Sequence, residues 1–135
     1  MNRLFQHYEG EISKIQGKKV KSLTSLIDDE SKSENVILLW LEIENSWLRI
    51  FIDGTYCGVD EYESNESEND LDDGVSFQNY DEMIRDLEIK EAKVISGNLP
   101  LITLSIEFTD ESLMILNCDE YENCKLKINA GKQCG

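Results

Sequence analysis

The sequence predicts a mainly β (α+β) chain, a pseudo-duplicated antiparallel sheet or small barrel-like fold with one short helix near residues 80–88. Three observations carry that expectation. The first is the stretch VILLWLEIENSWLRIFID at 36–53, the most apolar in the chain. Ile37, Leu39, Leu41 and Ile43 alternate along one face, Glu44, Asn45 and Ser46 interrupt, and Trp47, Leu48, Ile50, Phe51 and Ile52 resume, which is the pattern of a β-hairpin. Leu38 and Trp40 oppose the first set, so the hairpin is expected to be buried on much of both faces, with its two tryptophans in the core.

The second observation is an internal repeat. Ile15-x-x-x-Lys19-Val20-x-Ser22 matches Ile89-x-x-x-Lys93-Val94-x-Ser96. Further on, Leu41-Glu42-Ile43 with Leu48-x-Ile50 matches Ile106-Glu107-Phe108 with Leu113-x-Ile115. Each half therefore reads as a lead-in strand followed by a hairpin. The third observation is the break in that pattern at Asn79. Glu82 follows three residues later as in a capping box, Asp81 and Glu82 suit the positive end of a helix dipole, and Tyr80, Met83, Ile84 and Leu87 share a face.

Taken in order, residues 1–16 read either as a short helix or as an edge strand, because Leu4, Phe5, Tyr8, Ile12 and Ile15 fit helical spacing while Gly10 and Gly17 punctuate the run. A strand follows over 18–27, then a polar loop at 28–35, the hairpin, and a further strand over 55–62. Residues 60–74 read as an acidic mobile loop, since only Leu71 interrupts ESNESENDLDDG. After the helix come strands over 91–96, 99–109, 112–118 and 125–129, separated by turns at Gly97-Asn98 and Asp110-Glu111 and by the polar DEYEN. The tail, 130–135, is expected to fray.

Length makes this one domain, 1–135, large enough to bury roughly two thirds of its unfolded surface without staples. Forty per cent apolar residues argue against disorder, whereas a formal charge of −15 makes the surface strongly self-repelling. The N-terminal residues lack the pattern of a secretory signal, and no run of apolar residues is long enough to span a bilayer, so a cytoplasmic location is expected. Cys57, Cys118, Cys124 and Cys134 match no zinc spacing and are expected as reduced thiols.

The charge is concentrated. Between Arg49 and Arg85 there is no lysine or arginine, against Asp53, Asp60, Glu61, Glu63, Glu66, Glu68, Asp70, Asp72, Asp73, Asp81 and Glu82. Such a field attracts a basic partner and speeds its encounter, and the interleaved tyrosines are natural anchors on an arginine- or lysine-rich surface. A calcium loop ending its first half at Gly74 fails, because Leu71 and Tyr80 stand where ligands are required. No metal or cofactor site is expected. Catalysis has little to rest on: His7 is the only histidine, there is no phosphate-binding glycine loop, nucleophile elbow or zinc helix, and the best carboxylate pair is Glu42 with Glu107, at matching places in the two repeats. Lys18, Lys19 and Lys21 are too few for a nucleic-acid surface.

In size, charge and its two hairpins, ENVILLWLEIENSWLRIFID and ITLSIEFTDESLMILNCDEYENCKLKI, the chain resembles the immunity proteins of bacterial toxin systems, including contact-dependent growth inhibition. That resemblance implies a non-enzymatic function by occlusion, in which an acidic surface fills the basic cleft of a cognate toxin, such as a nuclease. The partner-binding residues expected on this reading are Asp60, Glu61, Glu63, Asp70, Asp72 and Asp73, with Tyr62 and Tyr80 as anchors. Two alternatives come from other classes: an acidic adaptor or regulatory β-domain with another protein partner, and a small carboxylate-dependent enzyme built on Glu42 and Glu107.

Overall fold

A computed structural model describes residues 2–28, 35–44, 46–53, 56–62, 75–97, 102–119 and 123–129. In chain order these form β1 (Asn2–His7), β2 (Gly10–Glu11), a 3-10 turn (Ser13–Ile15), β3 (Val20–Asp28), β4 (Asn35–Ile43), β5 (Ser46–Asp53), β6 (Tyr56–Tyr62), β7 (Val75–Asn79), α1 (Asp81–Ile84), β8 (Ile89–Ser96), β9 (Ile102–Phe108), β10 (Leu113–Cys118) and β11 (Cys124–Asn129). The strands make two antiparallel sheets, ordered β1-β6-β5-β4-β3-β7 and β11-β10-β9-β8-β2. The sheets face each other across one core and do not close into a barrel. Alternation decides which side chains enter that core: Leu39, Leu41, Ile43, Leu48, Ile50, Cys57 and Val59 from the first sheet meet Ala92, Val94, Ile102, Leu104, Ile106, Phe108, Met114 and Leu116 from the second. Each fully buried leucine, isoleucine, valine, phenylalanine or methionine among them contributes roughly 1.5–3 kcal/mol by leaving water.

The duplication is visible in the topology. Strands β3 to β6 and β8 to β11 are matching meanders, and each sheet takes one edge strand from the other half, β7 beside β3 and β2 beside β8. The two crossings hydrogen-bond to each other: the Val20 amide donates to Leu87, Asp86 to Val20 and Ile89 to Lys18. Ile43 pairs with Val20 and Leu41 with Leu23, just as Phe108 pairs with Ile89 and Ile106 with Ala92. The match of Leu41-Glu42-Ile43 to Ile106-Glu107-Phe108 is therefore structural. The lead-in match is not, since Val20 corresponds to Ile89 and each is followed by a bulge, before Ser22 and before Glu91. Leu48 likewise corresponds to Met114, because Leu48 opposes Leu41 and Met114 opposes Ile106. The second hairpin has the longer turn, closed by Asp110, whose carboxylate accepts from the Ser112 amide at 2.8 Å. One added residue shifts the register and turns Leu113 and Ile115 to the outer face.

Several expectations change. Residues 1–16 hold an edge strand, β1, rather than a helix. The helix expected over 80–88 is only Asp81–Ile84, because the amide of Asp86 is taken by Val20 and the residue has φ +69°, which ends the turn. Val75–Asn79 is a strand that the acidic composition before it concealed. Cys118 and Cys124, expected as thiols, form a disulfide across the β10–β11 pair. Asp119 and Asn123 hold the two strands together beyond the cysteines, the Asp119 amide donating to the Asn123 carbonyl and the Asn123 amide to Asp119 Oδ1 at 3.0 Å, and the cysteines are the last facing pair on the core side. Cys57 is free and buried, and burial pushes its thiol up to about 12. The tail 130–135 lies outside the described residues.

Candidate functional site

The face of the six-stranded sheet turned away from the core is the most unusual surface of the molecule. Arg3 on β1, Asp60 on β6, Arg49 on β5 and Trp40 on β4 occupy one cross-strand row. Asp60 has no exposure to solvent, yet it lies on the outer side of its sheet. Its carboxylate accepts from Arg3 Nε and, at 2.8 Å, from Arg49 Nη2. Two cations on one buried anion leave a local excess of one positive charge within a strongly negative chain. The guanidiniums are themselves packed on rings: Arg3 lies 5.4 Å from the Phe51 centroid, and Arg49 lies 5.9 Å from Phe51 and 5.3 Å from Tyr62. Trp40 and Tyr62 are 5.5 Å apart, and Trp47 pairs across the strands with Tyr62.

Both short helical turns insert isoleucines, Ile15 and Ile84, into the core between the sheets and not onto this outer face, where Trp40 is only 4% exposed while Trp47, Arg49 and Tyr62 are half-buried. Phe77 on β7 pairs with Leu26 on β3 and is 38% exposed, which extends the apolar area across the sheet. Tryptophan, tyrosine and arginine held on a rigid sheet are the residue types that dominate protein–protein binding energy. The outer face of the five-stranded sheet differs: it has no aromatic cluster among the described residues, and Lys93, Lys125 and Lys127 stand there among Thr103, Ser105 and Asn117 and the aliphatic Ile95, Leu113 and Ile115.

The structure separates the residues that the sequence grouped. Asp60 is buried and held by two arginines, so its carboxylate is not offered to a partner as an exposed charge. Glu61 points to the other side of β6 and lines a cleft of about 440 Å³ at one end of the sheets, with Asn2, Leu4, Lys14, Ile15, Lys18, Ile43, Glu44 and Ser46. Tyr62 remains half-buried on the aromatic face. Tyr80 packs against the core from the opposite edge of the sheet, and its hydroxyl accepts from Ser25 at 3.1 Å. The strands leading to Tyr62 and Tyr80 are four inter-strand steps of about 4.8 Å apart, so the two are not one anchor pair. Glu63, Asp70, Asp72 and Asp73 lie outside the described residues.

The carboxylate pair also separates. Glu42 lies on the outer face of the six-stranded sheet and Glu107 on the outer face of the other, because their neighbours Leu41, Ile43, Ile106 and Phe108 all point into the shared core. Glu107 instead opposes Glu91, with Lys90 and Lys93 alongside at 3.7 and 3.8 Å from the pair. Sequence reasoning missed Arg3, Arg49 and Phe51. Arg49 carried a signal, as the only charge inside the apolar run WLRIFI, whereas nothing local marks Arg3 as the partner of a residue so distant in the chain.

Fold and surface together define a class: a two-sheet antiparallel β protein with a pre-ordered aromatic and arginine face. Compared with known proteins, the chain matches no family model, no curated protein and no solved structure. Among the described residues, no helix is long and apolar enough to cross a membrane.

Proposed function

We propose that this chain is a non-enzymatic antidote of the immunity type, which binds a basic protein toxin, such as a nuclease, and blocks its cleft. The observation that carries the reading is the position of Tyr62. It closes the aromatic and arginine face at the end of β6, and the sequence runs from it directly into the acidic stretch containing Glu63, Asp70, Asp72 and Asp73. Packed aromatic rings followed directly in the sequence by concentrated negative charge support a division of labour: the charge speeds encounter, and the rings slow dissociation. Self-association through the same face is opposed by the net charge of −15 on each copy. The role expected of Asp60 changes on this reading, from a contact to a residue that holds Arg3 and Arg49 in place.

The test is co-purification from native cells at low and high salt, with the partner identified by mass spectrometry and then assayed for toxicity. The reading expects one basic partner, toxic alone and harmless when co-expressed with this protein. Neutralising Asp70, Asp72 and Asp73 to asparagine should reduce the association rate and flatten its salt dependence, while Tyr62→Ala should mainly raise the dissociation rate. A partner that is acidic, or non-toxic when expressed alone, would overturn the antidote reading.

A further inference from the structure

We propose that β7 is a strand-addition site for an extended basic segment of a partner protein, in which lysine or arginine alternates with apolar residues. The inference does not depend on the antidote reading, and the site lies at the opposite edge of the sheet from the strand that carries Tyr62 and its arginine partners. Among the described residues the two sheets have four edge strands, and an edge is a template on which another chain can pair. Three of the four carry a feature that discourages pairing. β1 is bulged between Arg3 and Phe5, β2 is two residues long, and β11 carries Lys125 and Lys127 at alternate positions. β7, Val75–Asn79, has no charged residue and no proline, and its five residues pair with β3 in unbroken register. Natural sheets blunt the edges that must stay unpaired, and this one is not blunted.

Backbone direction and flanking side chains define the occupant. The Tyr80 amide donates to the Leu23 carbonyl at 2.9 Å, which in an antiparallel ladder turns Ser76 and Gln78 towards β3 and the N–H and C=O groups of Phe77 and Asn79 to the open side. A strand added there has two faces. On the outer face it lies beside Phe77, which is 38% exposed, with Asp28 opposite Val75 on the neighbouring strand. On the other it lies over Gln78 and an open groove shared with α1, where Glu82 is exposed and Met83 is 58% exposed. Apolar residues of the segment cover Met83, while lysine or arginine stems cover Phe77 and bring their charges towards Asp28. The sequence has no lysine or arginine between Arg49 and Arg85, and Arg85 is engaged by Asp81 at 3.3 Å, so the field at this edge favours a basic segment. A second copy of the chain is a poor occupant, because each copy carries a charge of −15. In strand addition the main chain supplies affinity and alternate side chains supply specificity, which is the division that Phe77 and Met83 provide here.

The experiment is titration of the full chain by NMR with three capped peptides: Lys-Val-Lys-Val-Lys-Val-Lys, the same sequence with proline for valine, and the same sequence with glutamate for lysine. The lysine-valine peptide should bind in the millimolar range or tighter, shift the resonances of β7 and Met83, and slow amide exchange at Phe77 and Asn79. The proline peptide keeps the charge but cannot pair as a strand, and should bind about ten-fold more weakly. The glutamate peptide should not bind. Phe77→Lys gives β7 the device that β11 carries, and should weaken the lysine-valine peptide about ten-fold while leaving the fluorescence of Trp40 and Trp47 unchanged. No binding of the lysine-valine peptide up to about 5 mM would overturn the proposal. So would equal binding of the proline peptide, which would reduce the effect to charge alone, or shifts confined to β1, β11 or the aromatic face. Protection of Phe77 and Asn79 that rises with protein concentration, without peptide, would overturn it too, since the edge would then be filled by a second copy. The peptide series on the unaltered chain decides the matter even if the variant folds poorly.

Discussion

Gly58 on β6 lies directly beneath the ring of Phe51 on β5, so close that a Cβ at position 58 would stand 2.4 Å from Phe51 Cζ. The ring covers the glycine backbone, and its position in turn sets the surface on which Arg3 and Arg49 rest. Nothing about φ requires glycine here; the requirement is space. Gly58→Ala is expected to push the ring off its site and cost about 1–3 kcal/mol, measured by urea unfolding. Adding Phe51→Leu should recover part of that loss, giving a coupling energy of about 1 kcal/mol in a double-mutant cycle. Additive costs would show that ring and glycine do not interact.

Asp60→Asn removes the anion between two guanidiniums and leaves their charges facing one another. The arginines are about one-third exposed while Asp60 is fully buried, so solvent relieves part of the penalty. A loss of about 2 kcal/mol is expected, less than for a wholly buried pair. Arg3→Ala should cost less than Asp60→Asn, because Arg49 still satisfies the carboxylate. Equal costs in equilibrium unfolding would contradict the shared-anion arrangement.

The Cys57 thiol should make stability fall in alkali. Burial raises its folded value from 9.0 to about 12. The folded state therefore keeps a proton that the unfolded chain begins to lose near pH 9, so this contribution is intact below pH 9 and declines as pH rises towards 12. The expected slope approaches 1.4 kcal/mol per pH unit in that window, read as the difference between the parent chain and Cys57→Ala. Parallel pH profiles would show that the thiol does not govern this limb. In the folded chain at neutral pH, the same burial predicts slow alkylation of Cys57.

Reduction of the Cys118–Cys124 disulfide frees a short loop, so the expected loss is about 2 kcal/mol, seen as a lower melting temperature with dithiothreitol. The Cys118→Ala, Cys124→Ala double variant should melt at the reduced protein's temperature and ignore the reductant. The Cys124 amide also donates to Asn35 Oδ1 at 2.5 Å, which ties β11 to the start of β4. Asn35→Ala is accordingly expected to increase amide exchange in β11 before it changes global stability.

The sequence by itself determined the β class, the central hairpin and the existence of two related halves. These rest on alternation and turn chemistry, which are local: Leu39, Leu41 and Ile43 must share a face wherever that strand is placed. It also located the aromatic and acidic residues whose grouping suggested a partner surface. Only the tertiary structure decided what those residues do. Asp60 and Glu61 are chain neighbours on opposite sides of β6, one locked between arginines and the other lining the end cleft. Arg3 reaches Asp60 because β1 pairs with β6 across the length of a meander, an arrangement that no local pattern encodes. The repeat shows the same limit. Val20 corresponds in the fold to Ile89 and not to Val94, five residues away, and one extra turn residue before Leu113 shifts the second hairpin by a single step, which in a strand moves each side chain to the other face.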